Sequence, residues 1–303
     1  SFSLYETSKR NALRAFAGPL TATSQPSKVV YVKNLVTKEG TALQTGFQDF
    51  LRFCPSGSGD RMWIADEWHG RVLRLVNVDG QEDAGRGPYV DIVLGKPSLT
   101  DPNPVDWSAT TLILPVDVRL DPEGNLWVVD KPASMDGIGT RVLRYDAADL
   151  PNRPAATVFA IPAKKVYGTG GSFDVCTACY GTSAASYENG CHPYIPAFDG
   201  KGRMILGTNP YGNTQLPLVY LNPKNEIHPQ MALGDVLGSV IDPCFDPDGN
   251  FYDHVRTGGP NNGLRARRRT GVTFDPDVRE VVRSRALLAD RRRHRGSLGL
   301  GRG

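Results

Sequence analysis

No stretch of this 303-residue chain approaches the ~18 consecutive apolar residues of a membrane-spanning helix, so no membrane span is encoded. A glycine-rich phosphate loop, the strained serine elbow of α/β-hydrolases and the paired histidines of helix-borne zinc peptidases are also missing, which removes the sequence signatures of those three chemistries. Cysteine is scarce, with five residues in all, and lysine is absent from the last forty positions. What the chain has in excess is turn formers. Its 33 glycines and 23 prolines make up about 18% of the residues, against ~12% in an average protein. That composition suits many short strands joined by tight turns.

Four short hairpins recur, over 59–66, 121–130, 199–209 and 246–253. In Asp121-Pro122-Glu123-Gly124-Asn125 the proline presets a turn φ and the glycine takes the φ > 0 position that closes the hairpin. A short apolar strand follows and ends on Asp66, Asp130, Asn209 or Asp253. In the first two copies a further strand comes next, Arg71-Val72-Leu73-Arg74-Leu75 and Arg141-Val142-Leu143-Arg144-Tyr145. Before the second hairpin, Val116 to Leu120 alternates apolar and charged residues, the period of a strand with one buried face. A three-strand unit cannot bury its own faces and must pack against copies of itself. The pattern resembles the NHL repeat of β-propellers of the long-repeat bacterial type. Val116 to Tyr145 carries the likeness best, and Val90 to Thr100 is similar to the strand and loop between blades. The resemblance covers about Val30 to Asn262 and implies an all-β propeller of NHL type, incomplete at its C-terminal end. Between the terminal acids or amides the spacings are 64, 79 and 44 residues, and the two longer ones call for inserted loops or for further degenerate blades.

Three regions are expected. Residues 1–29 form a lead-in with a helix-favouring run from Lys9 to Ala17. Residues 30–262 form the propeller, with a cysteine-containing insertion at 168–193. Residues 263–303 form a basic tail. The net charge of +3 averages two unlike parts: from Leu264 onward there are 12 arginines against four acids, net +8, and the remainder carries net −5. The repeat register is lost at Leu264, where arginine replaces the apolar alternation, so no blade strand is expected from there. The tail reads as disordered or as an out-of-frame stretch, and a nucleic-acid partner is not expected despite its charge. The chain opens at Ser1 without a charged-then-apolar leader, and a secreted or periplasmic location is expected with a leader removed.

Several constellations bear on chemistry. Cys176, Cys179 and Cys191, with His192 adjacent, form a C-x2-C…C-H set that would suit tetrahedral zinc. In an exported protein the same cysteines read as disulfides, which is the preferred reading, with Cys54 and Cys244 as a second pair. His69 and His254 follow equivalent strand ends, and a histidine cluster there would resemble the zinc site of amidating lyases, which also carry NHL-type repeats. Asp66, Asp130 and Asp253 could converge on calcium, as the acids of gluconolactonase-type propellers do. The competing expectation, and the favoured one, is that each acid is hydrogen-bonded within its own blade. Trp63 and Trp127 share one repeat position and are expected in the core. Trp68, His69, Arg71 and Arg141 are expected on a ligand-binding face, with pairing to the strand-end aspartates as the other reading of the two arginines. The leading function is an exported, non-catalytic scaffold that binds a protein, a glycan or a small ligand. The alternative is a calcium- or zinc-dependent lactonase or lyase at the channel mouth.

Overall fold

The computed structural model describes residues 2–6, 12–17, 28–31, 35–43, 52–55, 60–78, 80, 82–131, 140–169, 171–174, 193–208, 218–220, 222–225, 231–232, 244–245, 251–256 and 264–269. Within them the chain is all-β, with helix limited to two single 3-10 turns, Glu67–His69 and Ala147–Asp149.

Five sheets follow one another along the chain. The first is β1 (Phe2–Glu6), β2 (Ala12–Ala17) and β3 (Lys28–Tyr31). The second runs from β4 (Arg52–Pro55) through β5 (Arg61–Asp66) and β6 (Arg71–Val76) to β7 (Tyr89–Leu94). The third contains β8 (Leu114–Leu120), β9 (Leu126–Lys131) and β10 (Arg141–Tyr145). The next strand, β11 (Val158–Phe159), leaves that sheet and adds in parallel to β7 of the second, after which β12 (Lys165–Tyr167) returns to pair with β10. The fourth sheet is β13 (Pro193–Phe198), β14 (Met204–Thr208), β15 (Leu218–Tyr220) and β16 (Met231–Ala232). The fifth is β17 (Cys244–Phe245), β18 (Phe251–Arg256) and β19 (Leu264–Arg269).

Sheets packed face to face in chain order are the blades of a β-propeller, and the core shows the stacking directly. One cluster joins Trp63, Ala65, Val72, Ile92 and Leu94 of the second sheet to Val118, Val128, Leu143 and Tyr145 of the third. A second covers the opposite face of the second sheet, where Met62, Ile64, Leu73 and Leu75 meet Leu35 and Leu43. A third joins Trp127, Val129 and Val142 to Met204 and Leu206 of the fourth sheet. Neighbouring residues therefore serve opposite faces, as strand geometry requires. Strands β5, β6 and β7 are buried at every position because both faces are covered. Within these three strands the parity changes once. Between Arg74–Ile92 and Leu75–Val90 the register shifts by one residue, which leaves Asp91 as the extra residue of a bulge. Val90 and Val93 can then share a face, and Asp91 receives Arg74 in two hydrogen bonds of 2.8 and 2.7 Å.

The hairpin turns form as the sequence dictates. Gly124 (φ +83°) and Gly202 (φ +77°) take the left-handed position. Asp121 accepts the amides of Glu123 and Asn125 at 3.0 and 2.9 Å, and Asp199 accepts those of Lys201 and Arg203 at 3.0 and 2.8 Å.

Three expectations are corrected. The described part of the run from Lys9 to Ala17, Ala12–Ala17, is a strand and not a helix, because antiparallel pairing on both sides outweighs the local alanine propensity. A boundary after residue 29 cuts β3, so the lead-in is part of a sheet. Leu264–Arg269 does form a strand, hydrogen-bonded along Phe251–Arg256 with Arg267 opposite Asp253. Ladder bonds come from the backbone and need no apolar alternation. Residues 270–303 lie outside the described residues. The long 64- and 79-residue spacings are connections: among the described residues no additional sheet intervenes between the second, third and fourth.

Candidate functional site

The candidate site lies where β5 and β9 end and long connections cross over them. The repeat leaves an acid at each strand end and an arginine at the start of the next strand, so Asp66 faces Arg71 and Asp130 faces Arg141 in cross-strand register. Burial forces the partnership, because an isolated charge in the interior is far too costly. Asp66 is 0% exposed and its Oδ2 accepts the Nε hydrogen of Arg71 at 2.8 Å. Asp130 and Arg141 are both 0% exposed, with Nε to Oδ2 at 3.0 Å.

The two pairs differ in what takes the second carboxylate oxygen. At Asp130, Oδ1 accepts the backbone amides of Ile113 and Leu114, each at 2.9 Å. Arg141 completes the junction by donating to the carbonyls of Ser108, Thr111 and Phe173 at 3.0, 2.6 and 3.0 Å and by lying 4.8 Å over the Trp107 ring. Burial pushes the Asp130 carboxyl above its ordinary value, against the pull of Arg141 and of the two amides. At Asp66, Oδ1 instead meets Nδ1 of His69 at 2.9 Å. His69 belongs to a 3-10 turn closed by Gly70 at φ +57°, a position where an added Cβ would stand 2.7 Å from the Leu112 carbonyl oxygen. Asn103 holds the same turn from the other side, donating to the Trp68 carbonyl at 2.6 Å. Lys96 lies in the interior nearby, its ammonium on the Asp101 carbonyl at 2.9 Å, and burial followed by the Arg71 charge pushes its pKa below the ordinary lysine value. At the surface of this end Trp68 is 50% exposed and Val105 80%.

Two clefts lie elsewhere. One of about 320 Å3 opens between the end of β8 and strands β13 and β17, lined by Arg119, Phe198, Cys244 and Phe245. Another of about 540 Å3 is lined by Lys38, Glu82, Asp83, Arg86, Tyr89 and Arg153. Its acids are already engaged: Arg61 holds Glu82 through two bonds of 2.5 and 2.8 Å, and the Tyr89 hydroxyl donates to Asp83 at 2.6 Å. Burial and that bond push the Tyr89 phenol up to about 12.

The sequence-based site residues fall as follows. Trp68 and His69 lie at the surface of one end, with the side chain of His69 27% exposed. Arg71 and Arg141 are not on a ligand face: both are interior, because each is the counter-ion of a buried aspartate. Asp66 and Asp130 serve separate sheets and do not share a centre among the contacts described. Asp253 and His254 are placed on β18 opposite Arg267 and Ala266. Cys54 and Cys244 are thiols with no disulfide between them, and burial pushes the Cys54 thiol up. Cys176, Cys179, Cys191 and His192 lie outside the described residues. Among the described residues no group of three His, Cys, Asp or Glu side chains is placed to hold a metal ion, and no helix is long and apolar enough to cross a membrane. Sequence reading missed Lys96 and the Arg74–Asp91 pair; the second depends on a bulge that no local pattern announces.

No known family pattern and no curated protein matches the sequence. Solved structures with some likeness include a gluconolactonase from Xanthomonas campestris, at 12% identity over 88% of this chain and 71% of that one, with a TM-score of 0.42. Hydrazine synthase from Kuenenia stuttgartiensis matches at 12% identity over 89% and 80%, with a TM-score of 0.41. The extracellular domain of a hybrid two-component system from B. thetaiotaomicron matches at 15% identity over 88% and 31%, with a TM-score of 0.44. At such identities the function has to be argued from this chain's own residues.

Proposed function

We propose that this protein is an exported, non-catalytic binding scaffold of NHL-type repeats that takes its ligand on the end bearing Trp68. One observation carries the reading. The strand-end acids that a metal-centred hydrolase would aim at an ion are held in buried pairs, Asp66 with Arg71 and Asp130 with Arg141, while the same end exposes Trp68 at 50% and Val105 at 80%. Exposed aromatic and aliphatic groups on a rigid turn are the features that recognition surfaces use. The NHL assignment is supported by repetition in three dimensions. Trp63 lies opposite Arg74 and Trp127 opposite Arg144, with the guanidinium carbons 5.7 and 5.9 Å from the ring centres. An exported protein would hold Cys176, Cys179 and Cys191 in disulfides, and alkylation under non-reducing conditions tests that: these cysteines are expected to be blocked.

Metal analysis and lactone turnover decide between this reading and the lactonase or lyase alternative. The scaffold predicts saturable binding of a glycan, peptide or small ligand that Trp68→Ala weakens without changing the circular dichroism. Stoichiometric calcium or zinc together with lactone turnover would overturn it.

A further inference from the structure

We infer that the Asp66–His69–Trp68 corner is a recognition subsite for a neutral, hydroxyl-rich ligand, a saccharide; this deepens the scaffold reading and rests on it. The geometry fixes what His69 can offer. Asp66 already accepts the Arg71 Nε hydrogen on Oδ2, and its Oδ1 lies 2.9 Å from His69 Nδ1. A carboxylate paired with arginine is purely an acceptor, so Nδ1 must carry the hydrogen, and Nε2 is the ring nitrogen left for a partner. The imidazole side chain is 27% exposed, whereas that of Asp66 is 1% exposed. The ring is thus anchored through Nδ1 on a buried carboxylate and keeps part of its surface open.

Comparison with the third sheet shows that this is a departure from the repeat. In the equivalent slot Asp130 gives its second oxygen to the amides of Ile113 and Leu114, and the junction closes on itself. Only one backbone needs satisfying there. In the second sheet the same oxygen orients a side chain that reaches solvent, immediately after the exposed Trp68. Repeat scaffolds place specific function where one copy leaves the pattern.

The charges then narrow the ligand. Arg71, Arg141 and Lys96 beneath this end are 1%, 0% and 4% exposed, and each is committed to an aspartate or a carbonyl. They offer no cation to an anionic ligand. What the turn exposes is an aromatic surface next to an imidazole anchored on its other nitrogen. A pyranose ring complements both, because its C–H face packs on an indole and its hydroxyls can donate to or accept from a ring nitrogen. The turn that holds the two groups is stiff, with the Gly70 amide on the Glu67 carbonyl at 3.2 Å and Asn103 on Trp68, so little ordering is left for the ligand to impose.

The test uses the full chain with a panel of neutral gluco-, manno- and galacto-oligosaccharides, and with acidic peptides as a second arm. Binding is read by calorimetry and by the 15N resonances of His69. At least one oligosaccharide is expected to bind, moving the His69 Nε2 resonance. Trp68→Ala should weaken it by roughly 30-fold, and His69→Phe by about tenfold. His69→Gln, which places an amide near the Nε2 position, should recover part of the loss. The resonance shift is read on the unsubstituted protein and does not depend on how any variant folds. Oligosaccharide binding that leaves the His69 resonances and both substitutions without effect would overturn the subsite, as would an absence of oligosaccharide binding. If peptides bind through Trp68 in that case, the scaffold reading stands and the saccharide inference falls.

Discussion

Replacing Arg141 by methionine tests the Asp130 junction most directly. The substitution keeps the length and apolar stem of the side chain, and removes the guanidinium that binds Asp130 and three carbonyls, those of Ser108, Thr111 and Phe173. Asp130, 0% exposed, would then keep only the amides of Ile113 and Leu114. Removing one partner of a buried ion pair costs about 3–5 kcal/mol, because the remaining charge has no counter-ion. At roughly 2–4 °C per kcal/mol for a domain of this scale, the midpoint of thermal unfolding should fall by roughly 6–20 °C. Arg141→Lys keeps the charge but not the planar fork that spans several acceptors, and should lie between the two, at about 2 kcal/mol. Adding Asp130→Asn to Arg141→Met should return part of the loss, since asparagine accepts the same two amides without a charge. Calorimetric scans of these four proteins and of Asp130→Asn alone at pH 7 supply the comparison. A midpoint for Arg141→Met within about 1 °C of the parent, or a double variant that is fully additive, would refute the claim that this pair closes the junction.

Gly95→Ala should cost about 2–4 kcal/mol in denaturant unfolding, because φ is +92° and the new Cβ would meet the Gly70 carbonyl oxygen at 2.6 Å and Leu112 Cβ at 2.8 Å. Gly124→Ala, with φ +83° and its nearest neighbour at 3.9 Å, carries only the backbone penalty of about 1–2 kcal/mol. Trp127→Ala, which vacates contacts to Tyr167 and Phe198 at ring distances of 5.1 and 5.0 Å, should lose about 3–5 kcal/mol. Glu39 has its carboxyl lowered from 4.5 to about 2, first by the Thr157 amide. A depressed acid stabilises the fold above its unfolded value and loses that contribution as pH falls through about 2. Glu39→Gln should therefore flatten the acid limb of a stability–pH curve, by a small amount because the carboxylate is exposed.

Much of the second and third sheets was legible because local chemistry and tertiary environment agree there. Turn residues such as Asp121 and Gly124 act within five positions, and the alternation of Met62, Trp63, Ile64 and Ala65 maps one-to-one onto two faces. The strand-end aspartates were legible in kind, since an arginine opens the strand that follows each, five residues on at Arg71 and eleven on at Arg141. Their inaccessibility was not, because it depends on connections such as 95–113 that fold back over the ends. Strand β2 was misread because pairing with β1 and β3 decides its state, and neither partner is visible from Lys9 to Ala17 alone. The parallel addition of β11 lies further still from local reading. It is two residues long and is specified by Ile92 and Val93 more than sixty positions away.

That last strand also sets an order of assembly during synthesis. The second sheet cannot finish its outer edge when Leu94 leaves the ribosome, because Val158 and Phe159 have not yet been made. At ~5–20 residues per second the intervening stretch takes roughly 3–13 s to appear. Throughout that interval the β7 edge is held, among the described residues, by the Thr37–Val90 bridge and the amide of Val90 on the Val36 carbonyl. By the time the edge is closed, the whole of β8, β9 and β10 has emerged and can dock against the second sheet. The second and third sheets thus mature together, and a translation pause between Leu94 and Val158 would prolong exposure of the open β7 edge.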